Sequence, residues 1–185
     1  MQATPVTDTV SPVTAAELAA FIGVDASDPL LAGILLAATD AVIQYLNQDL
    51  IRREWVGLIK APNPTGWQLS PYTLPQATFE LPYTALVSVE AVMTTELTDV
   101  QYVLQAKRKP ARITLLDWDY QTDVEVEYTA GIAATAADVP TAIKFGIMML
   151  AAFLYDHRGE CDAMDAIKRS GAANMLKFYR VEVAL

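Results

Sequence analysis

The sequence predicts an α+β protein, mainly α: a helical bundle with a small antiparallel β insertion between the second and third main helices. Three observations carry this expectation. From Asp28 to Leu50 apolar residues recur at helical spacing, and from Val139-Pro140 to Gly159 a second, still more apolar helix follows. Between them lie short stretches of alternating apolar and polar residues, divided by turn-forming pieces.

In chain order, residues 1–13 are rich in Thr, Val and Pro and have no period, so they read as an N-terminal arm. Thr14-Ala-Ala-Glu17 is a capping box, in which the two side chains satisfy each other's backbone N–H groups at a helix start. That helix should reach Ile22 and end at Gly23. Asp28-Pro29 repeats the start signal and opens the long second helix, completing a helical part at 14–50. Leu31, Ile34, Leu35, Ala38, Val42, Tyr45 and Leu46 form its inner stripe, with Leu30, Leu36 and Ile43 lying off it. These off-stripe residues imply that the helix is covered on a second side.

Residues 51–130 are expected to form the β-rich insertion. Pro62, Pro64, Pro71 and Pro75 make the tract from Ala61 to Gln76 a loop or extended connector, because proline interrupts both helix and sheet hydrogen bonding. Strands are predicted at 79–81, 87–93, 101–105, 112–116 and 123–128. The last has Val124, Val126 and Tyr128 on one face and Glu125 and Glu127 on the other, then Gly131 breaks it. After an Ala/Thr-rich link, Pro140 starts the core helix of 138–159. Its stripe is Ile143, Gly146, Ile147, Leu150, Ala151 and Leu154, while Phe145, Met148, Met149, Ala152 and Phe153 leave little polar surface opposite. The C-terminal segment, 160–185, holds two short helical pieces interrupted at Ser170-Gly171. All of this fits one domain overall.

The composition is 53% hydrophobic and only 19% charged, an apolar balance that suggests surface hidden against partners. A net charge of −9 argues against gripping nucleic acid through phosphates, which needs clustered Lys and Arg. Cys161 is the only cysteine, so no internal disulfide framework is possible. No secretory signal is visible and no apolar run approaches the ~20 residues that span a bilayer, so the chain is expected to be soluble, made in the cytoplasm and without a membrane partner.

The search for chemistry returns little. Asp156, His157, Glu160, Cys161, Asp162 and Asp165 could suggest a metal or a Cys/His nucleophile, but a helix end attracts His and the acids suit a solvated turn. Glu125 and Glu127 share a strand face and could pose as an acid/base pair, or simply line the wet side of a sheet. Lys107, Arg108, Lys109 and Arg112, with Tyr102 nearby, are four cations at a hairpin tip in an acidic chain. A solvated turn or an acidic partner suits them better than DNA. Trp55, Trp67 and Trp118 could line a pocket, though such residues are more often core or interface anchors. No phosphate-binding glycine loop, dinucleotide turn or paired-cysteine motif occurs, so no enzyme activity, catalytic residue, metal or cofactor is expected.

Against this background the chain resembles the head-tail connector proteins of long-tailed phages, also called adaptor or head-completion proteins. The resemblance rests on Val13-Thr-Ala-Ala-Glu-Leu, on Ala38-Thr-Asp-Ala-Val-Ile-Gln-Tyr-Leu-Asn within the long helix, and on Leu81-Pro82 with Val87-Ser-Val-Glu-Ala-Val. It continues through Val126-Glu-Tyr-Thr-Ala-Gly, Val139-Pro-Thr-Ala-Ile-Lys, Leu150 to Arg158 and Leu176-Lys-Phe-Tyr-Arg180. The chain departs from the family in its Pro-rich tract.

The resemblance implies a structural virion protein in the neck, at the head-tail interface. It would form a homo-oligomeric ring, commonly dodecameric, between the portal protein and a stopper or tail-completion protein, around a channel that DNA passes without specific binding. On this reading Leu31, Leu35, Val42, Leu46, Phe145, Met149 and Phe153 are expected at the subunit interface. Leu176, Phe178, Tyr179, Arg180, Val181 and Leu185, within the segment Ala172 to Leu185, are expected to bind the portal. Asp40, Asp49, Glu125 and Glu127 are expected to line the channel, where carboxylates repel phosphates. The alternatives are a small-ligand or enzymatic domain using the β insertion, and a stopper or tail-completion protein of the same neck.

Overall fold

The computed structural model describes residues 1–61, 77–82, 85–116, 118, 122–157 and 162–181. The alternation read at Val124 to Tyr128 belongs to a strand, Val124–Ala130, whose Val124, Val126, Tyr128 and Ala130 are buried and whose Glu127 is exposed. It is the seventh strand, β7. Before it come β1 (Gln2–Pro5), β2 (Arg53–Ile59), β3 (Ala77–Glu80), β4 (Leu86–Thr94), β5 (Tyr102–Gln105) and β6 (Arg112–Leu115). The helices are α1 (Ala15–Ile22), α2 (Leu30–Leu46), α3 (Thr141–Asp156), α4 (Ala163–Arg169) and α5 (Ala172–Leu176).

The expected helical bundle with a small β insertion is not what the chain forms. Among the described residues there are five α-helices and seven strands, 38% helix against 27% strand, with the strands in two antiparallel sheets. The larger sheet has the order β1-β2-β7-β4 and the smaller β3-β6-β5. The difference comes from β1 and β2, where sequence period fails. In β2 the inward positions are Trp55, Gly57 and Ile59, so a glycine sits where an apolar side chain would have advertised the alternation. β1 ends in Pro5 and takes its register from its neighbour, Gln2 opposite Leu58 and Pro5 opposite Trp55. A proline is tolerated there because β1 is an edge strand with one side unpaired.

The chain divides into two compact units, one of Met1–Thr7 with Arg53–Gly131 and the other of Asp8–Arg52 with Ile132–Glu182. The first is the β unit. Trp55 and Ile59 of β2, Val92 of β4, Ile113 and Leu115 of β6 and Tyr128 of β7 belong to one buried cluster, so both sheets contribute to the same core. Each buried polar tip has a partner: the Tyr128 hydroxyl donates to the Pro82 carbonyl at 3.0 Å, and the Trp118 indole N–H donates to the Thr122 carbonyl at 2.8 Å.

The second is the helical unit, in which α2 and α3 pack together with α1, α4 and α5. The capping box of α1 forms as predicted: the Glu17 N–H donates to Thr14 Oγ1 at 3.2 Å, and the Thr14 N–H donates to Glu17 Oε2 at 2.7 Å. Gly23 ends α1 at φ 82°, a conformation glycine adopts without strain. At the start of α2, Asp28 Oδ1 accepts from the Leu30 N–H at 2.9 Å, and Pro29 is already helical at φ −65°. The helix stops at Leu46 rather than Leu50, because Asn47 turns left-handed at φ 53°. The second carboxylate oxygen of Asp28 accepts from the Tyr155 hydroxyl at 2.7 Å, tying the start of α2 to the end of α3.

Candidate functional site

The helical unit buries one face of each main helix and leaves other apolar faces uncovered. On α3, Ile143, Gly146, Ile147, Leu150 and Ala151 are buried. Gly146 makes room for α5 there, since a Cβ at this position would lie 3.0 Å from the Leu176 side chain, a tight contact. On α2 the buried line is Leu31, Leu35, Ala38, Val42 and Leu46, with the Thr39 hydroxyl donating to the Leu35 carbonyl at 2.8 Å. The opposite side of α2 exposes Leu30 (45%), Gly33 and Leu36 (44%), and becomes charged only at Asp40. Phe21 of α1 and Phe145 of α3 meet edge to face at 5.5 Å, both exposed.

Of the residues expected at a subunit interface, Leu31, Leu35, Val42 and Leu46 are therefore spent on the chain's own packing. Phe145 is exposed, and Met149 and Phe153 are half-buried. The outward apolar residues Phe21, Leu30 and Leu36 were not among those expected. For Leu30 and Leu36 the signal was their place off the inner stripe. For Phe21 nothing in the local pattern marks it.

At the C-terminal end, Leu176 and Val181 are buried, Tyr179 is half-buried, and Arg180 and Phe178 are exposed, Phe178 at 83%. Leu185 lies outside the described residues. The segment is held by the end of α2. The Val181 N–H donates to the Leu46 carbonyl at 2.9 Å, the Asn47 side-chain amide donates to the Val181 carbonyl at 3.0 Å, and the Gln48 side-chain amide donates to the Tyr179 carbonyl. The Arg180 guanidinium lies 5.2 Å from the Tyr45 ring and the Lys177 ammonium 5.0 Å from the Phe178 ring.

The expected channel acids fall in different settings. Asp40 is exposed on the outward face of α2, and Asp49 is buried with its carboxylate accepting from the Leu50 N–H at 2.9 Å. On β7, Glu127 is exposed and Glu125 half-buried, both pointing away from the core. Two carboxyls are held low by local donors. Hydrogen bonds from the Thr14 backbone and then its side chain lower Glu17, and those from the Ser27 backbone and then its side chain lower Asp25.

The groups weighed for chemistry do not converge. Among the described residues no three His, Cys, Asp or Glu side chains gather as metal ligands. His157 stacks on Phe153 at 4.2 Å, Asp162 caps α4 by accepting from the Asp165 N–H at 2.8 Å, and Asp156 and Asp165 are exposed. Glu160 and Cys161 lie outside the described residues. Arg112 pairs with Glu80 at 2.6 Å, leaving Lys107, Arg108 and Lys109 exposed on the β5–β6 turn beyond Tyr102. Trp55, beneath the Arg53 guanidinium at 4.8 Å, and Trp118 are buried in the β core, and Trp67 lies outside the described residues.

The helical unit thus exposes apolar and aromatic side chains, Phe21, Leu30, Leu36, Phe145 and Phe178 among them. No known family model matches the chain, and no curated protein does. Solved structures do. A chain from the neck of an empty gene transfer agent (GTA) particle, computed with C6 symmetry, has a TM-score of 0.73 at 20% identity, covering 100% of this chain and 98% of that one. A chain from the neck of the native GTA particle, computed with C12 symmetry, has a TM-score of 0.71 at 22% identity with the same coverage. A third, from the virion of the native particle, has a TM-score of 0.69 at 22% identity, again covering 100% of this chain and 98% of that one. The chain thus has, from end to end, the fold of chains found in the neck of a gene transfer agent particle.

Proposed function

We propose that this chain is a structural neck protein of a phage-like particle, an adaptor that assembles as a ring of identical copies around a channel for DNA. The observation that carries the reading is the end-to-end match to chains of particle necks, 100% of this chain and 98% of that one, in structures computed with C6 and C12 symmetry. The uncovered apolar residues of the helical unit support it, because in a ring each copy is covered by two neighbours. Within this reading the portal protein is met through Tyr179 and Arg180, while Leu176 and Val181 hold that segment to its own subunit and Phe178, also expected at the portal, is left free for a neighbouring copy. A stopper or tail-completion protein lies on the other side. Of the candidate channel acids, Glu125 and Glu127 are the ones we assign to the channel; Asp49 is buried, and Asp40 sits on the apolar outward face of α2.

Native mass spectrometry of the full chain, alone and with portal, tests this. A closed oligomer of six or twelve copies, or one formed only on portal, is the expected result. A chain that stays monomeric in both conditions overturns the proposal.

A further inference from the structure

Charge in the helical unit is segregated along the sequence. The first 51 residues contain no Lys or Arg, and their carboxylates are Asp8, Glu17, Asp25, Asp28, Asp40 and Asp49. The described C-terminal stretch, 162–181, carries Lys168, Arg169, Lys177 and Arg180 against Asp162 and Asp165. A subunit acidic along α1 and α2 and basic along its C-terminal turns is complementary to a second copy of itself.

The two glycines of the main helices sharpen the point. Gly146 has a packing reason, because Leu176 occupies the space beside it. Gly33 has none: nothing in the chain lies within 4 Å of where its Cβ would be. Gly33, the fourth residue of α2, leaves the backbone bare on an open face, where another molecule can approach closely. Around it stand Leu30 and Leu36, half exposed. Phe178 has the complementary shape, an 83% exposed ring on a turn held by hydrogen bonds from Asn47 and Gln48, with Lys177 against it.

Arg180 rests on Tyr45, twelve residues beyond Gly33 and so about 120° around the α2 axis from it. Two separate patches on one subunit are what a heterologous, ring-closing contact needs.

We propose that the Phe178 ring of one copy packs over the Gly33 opening on α2 of the next, between Leu30 and Leu36, and that Lys177 of the first copy pairs with Asp40 of the second. Asp40 lies two turns beyond Gly33, about 10 Å along the helix, within reach of a lysine beside the seated ring. This rests on the ring reading above and names the contact that builds the ring.

The test uses the full chain, with portal added if the wild type needs it, and reads the concentration for half-assembly by analytical ultracentrifugation. Gly33→Leu fills the opening on a face where it meets nothing in its own subunit, and should raise that concentration at least about tenfold without lowering the melting temperature. Asp40→Lys and Lys177→Glu should each weaken assembly about fivefold, and the double variant should recover most of the loss. A wild type that assembles while Gly33→Leu and both charge reversals assemble equally well overturns this contact but leaves the ring. A wild type that never assembles overturns the ring and the contact together.

Discussion

The two units build their cores from different side chains. Every buried aromatic among the described residues, Trp55, Trp118 and Tyr128, belongs to the β unit, where Phe79 also meets Trp118 edge to face at 6.0 Å. The helical unit buries Leu, Ile, Val, Ala and Gly, and leaves Phe21, Phe145 and Phe178 exposed. Faces of packed sheets stand about 10 Å apart and need long side chains to fill the gap, whereas closely crossing helices leave room only for branched aliphatics or, at Gly146, for no side chain. An aromatic left outside such a helical core is available as an anchor for another molecule.

That contrast can be broken with single substitutions, because the unit of Met1–Thr7 and Arg53–Gly131 spans Trp55, Trp67 and Trp118. Tryptophan fluorescence therefore reads the β unit, and circular dichroism at 222 nm reads the helices. The largest effect is expected at Tyr128, where truncation to Ala should cost about 3–5 kcal/mol in urea unfolding followed by fluorescence. Tyr128→Phe, which removes only the bond to the Pro82 carbonyl, should cost about 1 kcal/mol. Equal losses in the two variants would mean that the hydroxyl, not the ring, holds the core.

The glycines give the next effect, with opposite signs. Gly146→Ala should destabilise by about 1–3 kcal/mol as Leu176 is pushed away, while Gly33→Ala should stabilise by about 0.5–1 kcal/mol through helix propensity alone. Thermal melts at 222 nm, run below the concentration at which copies associate, check both. If both variants stabilise, the close approach of α5 to α3 is not what keeps Gly146 small.

Smaller still, Asp28→Ala should cost about 1 kcal/mol by uncapping α2 and freeing the Tyr155 hydroxyl, and Tyr155→Phe should cost no more than that. The smallest effect concerns pH. Glu17 is held below its ordinary value of 4.5 by the Thr14 donors, so its contribution to stability is present above about pH 4.5 and fades as pH falls through the lowered folded value. In Glu17→Gln that acid-side loss should disappear from melts compared at pH 6 and pH 3. An unchanged slope would show that the carboxylate does not hold the cap.

Much of this was legible because the signals are local. The Thr14/Glu17 box, Asp28-Pro29 and Gly23 act within a turn of chain, and each appears where its residue types place it, whereas Pro140, expected at the first helical position, stands just before α3 with ψ 133° and the helix runs Thr141–Asp156 rather than 138–159. The five predicted strands exist, within one or two residues of their expected ends. β1 and β2 were not legible, since Gly57 hides the alternation of one and the other exists by pairing along that edge. The fold class was misjudged for this reason: counting five strands as an insertion missed the two that enlarge one sheet to four. The surface was half legible, for helical period marks α2 as apolar on two sides without saying which side the chain itself will take. Leu31, Leu35, Val42 and Leu46 went inward, and Leu30 and Leu36 stayed out.

The amino-acid order by itself determined where α1 is capped and ended and where α2 starts, that acids dominate the N-terminal residues and that no familiar catalytic motif is present. These are properties of a few neighbouring residues or of totals, and need no knowledge of what meets what. Tertiary structure alone decided that residues 2–5 join a sheet with residues 53–59, that Gly146 makes room for Leu176, and that Asn47 and Gln48 hold the backbone at 179–181. Each joins residues about 30 to more than 130 positions apart, and a contact across that separation is fixed by the packing of the whole unit rather than by any period in the chain.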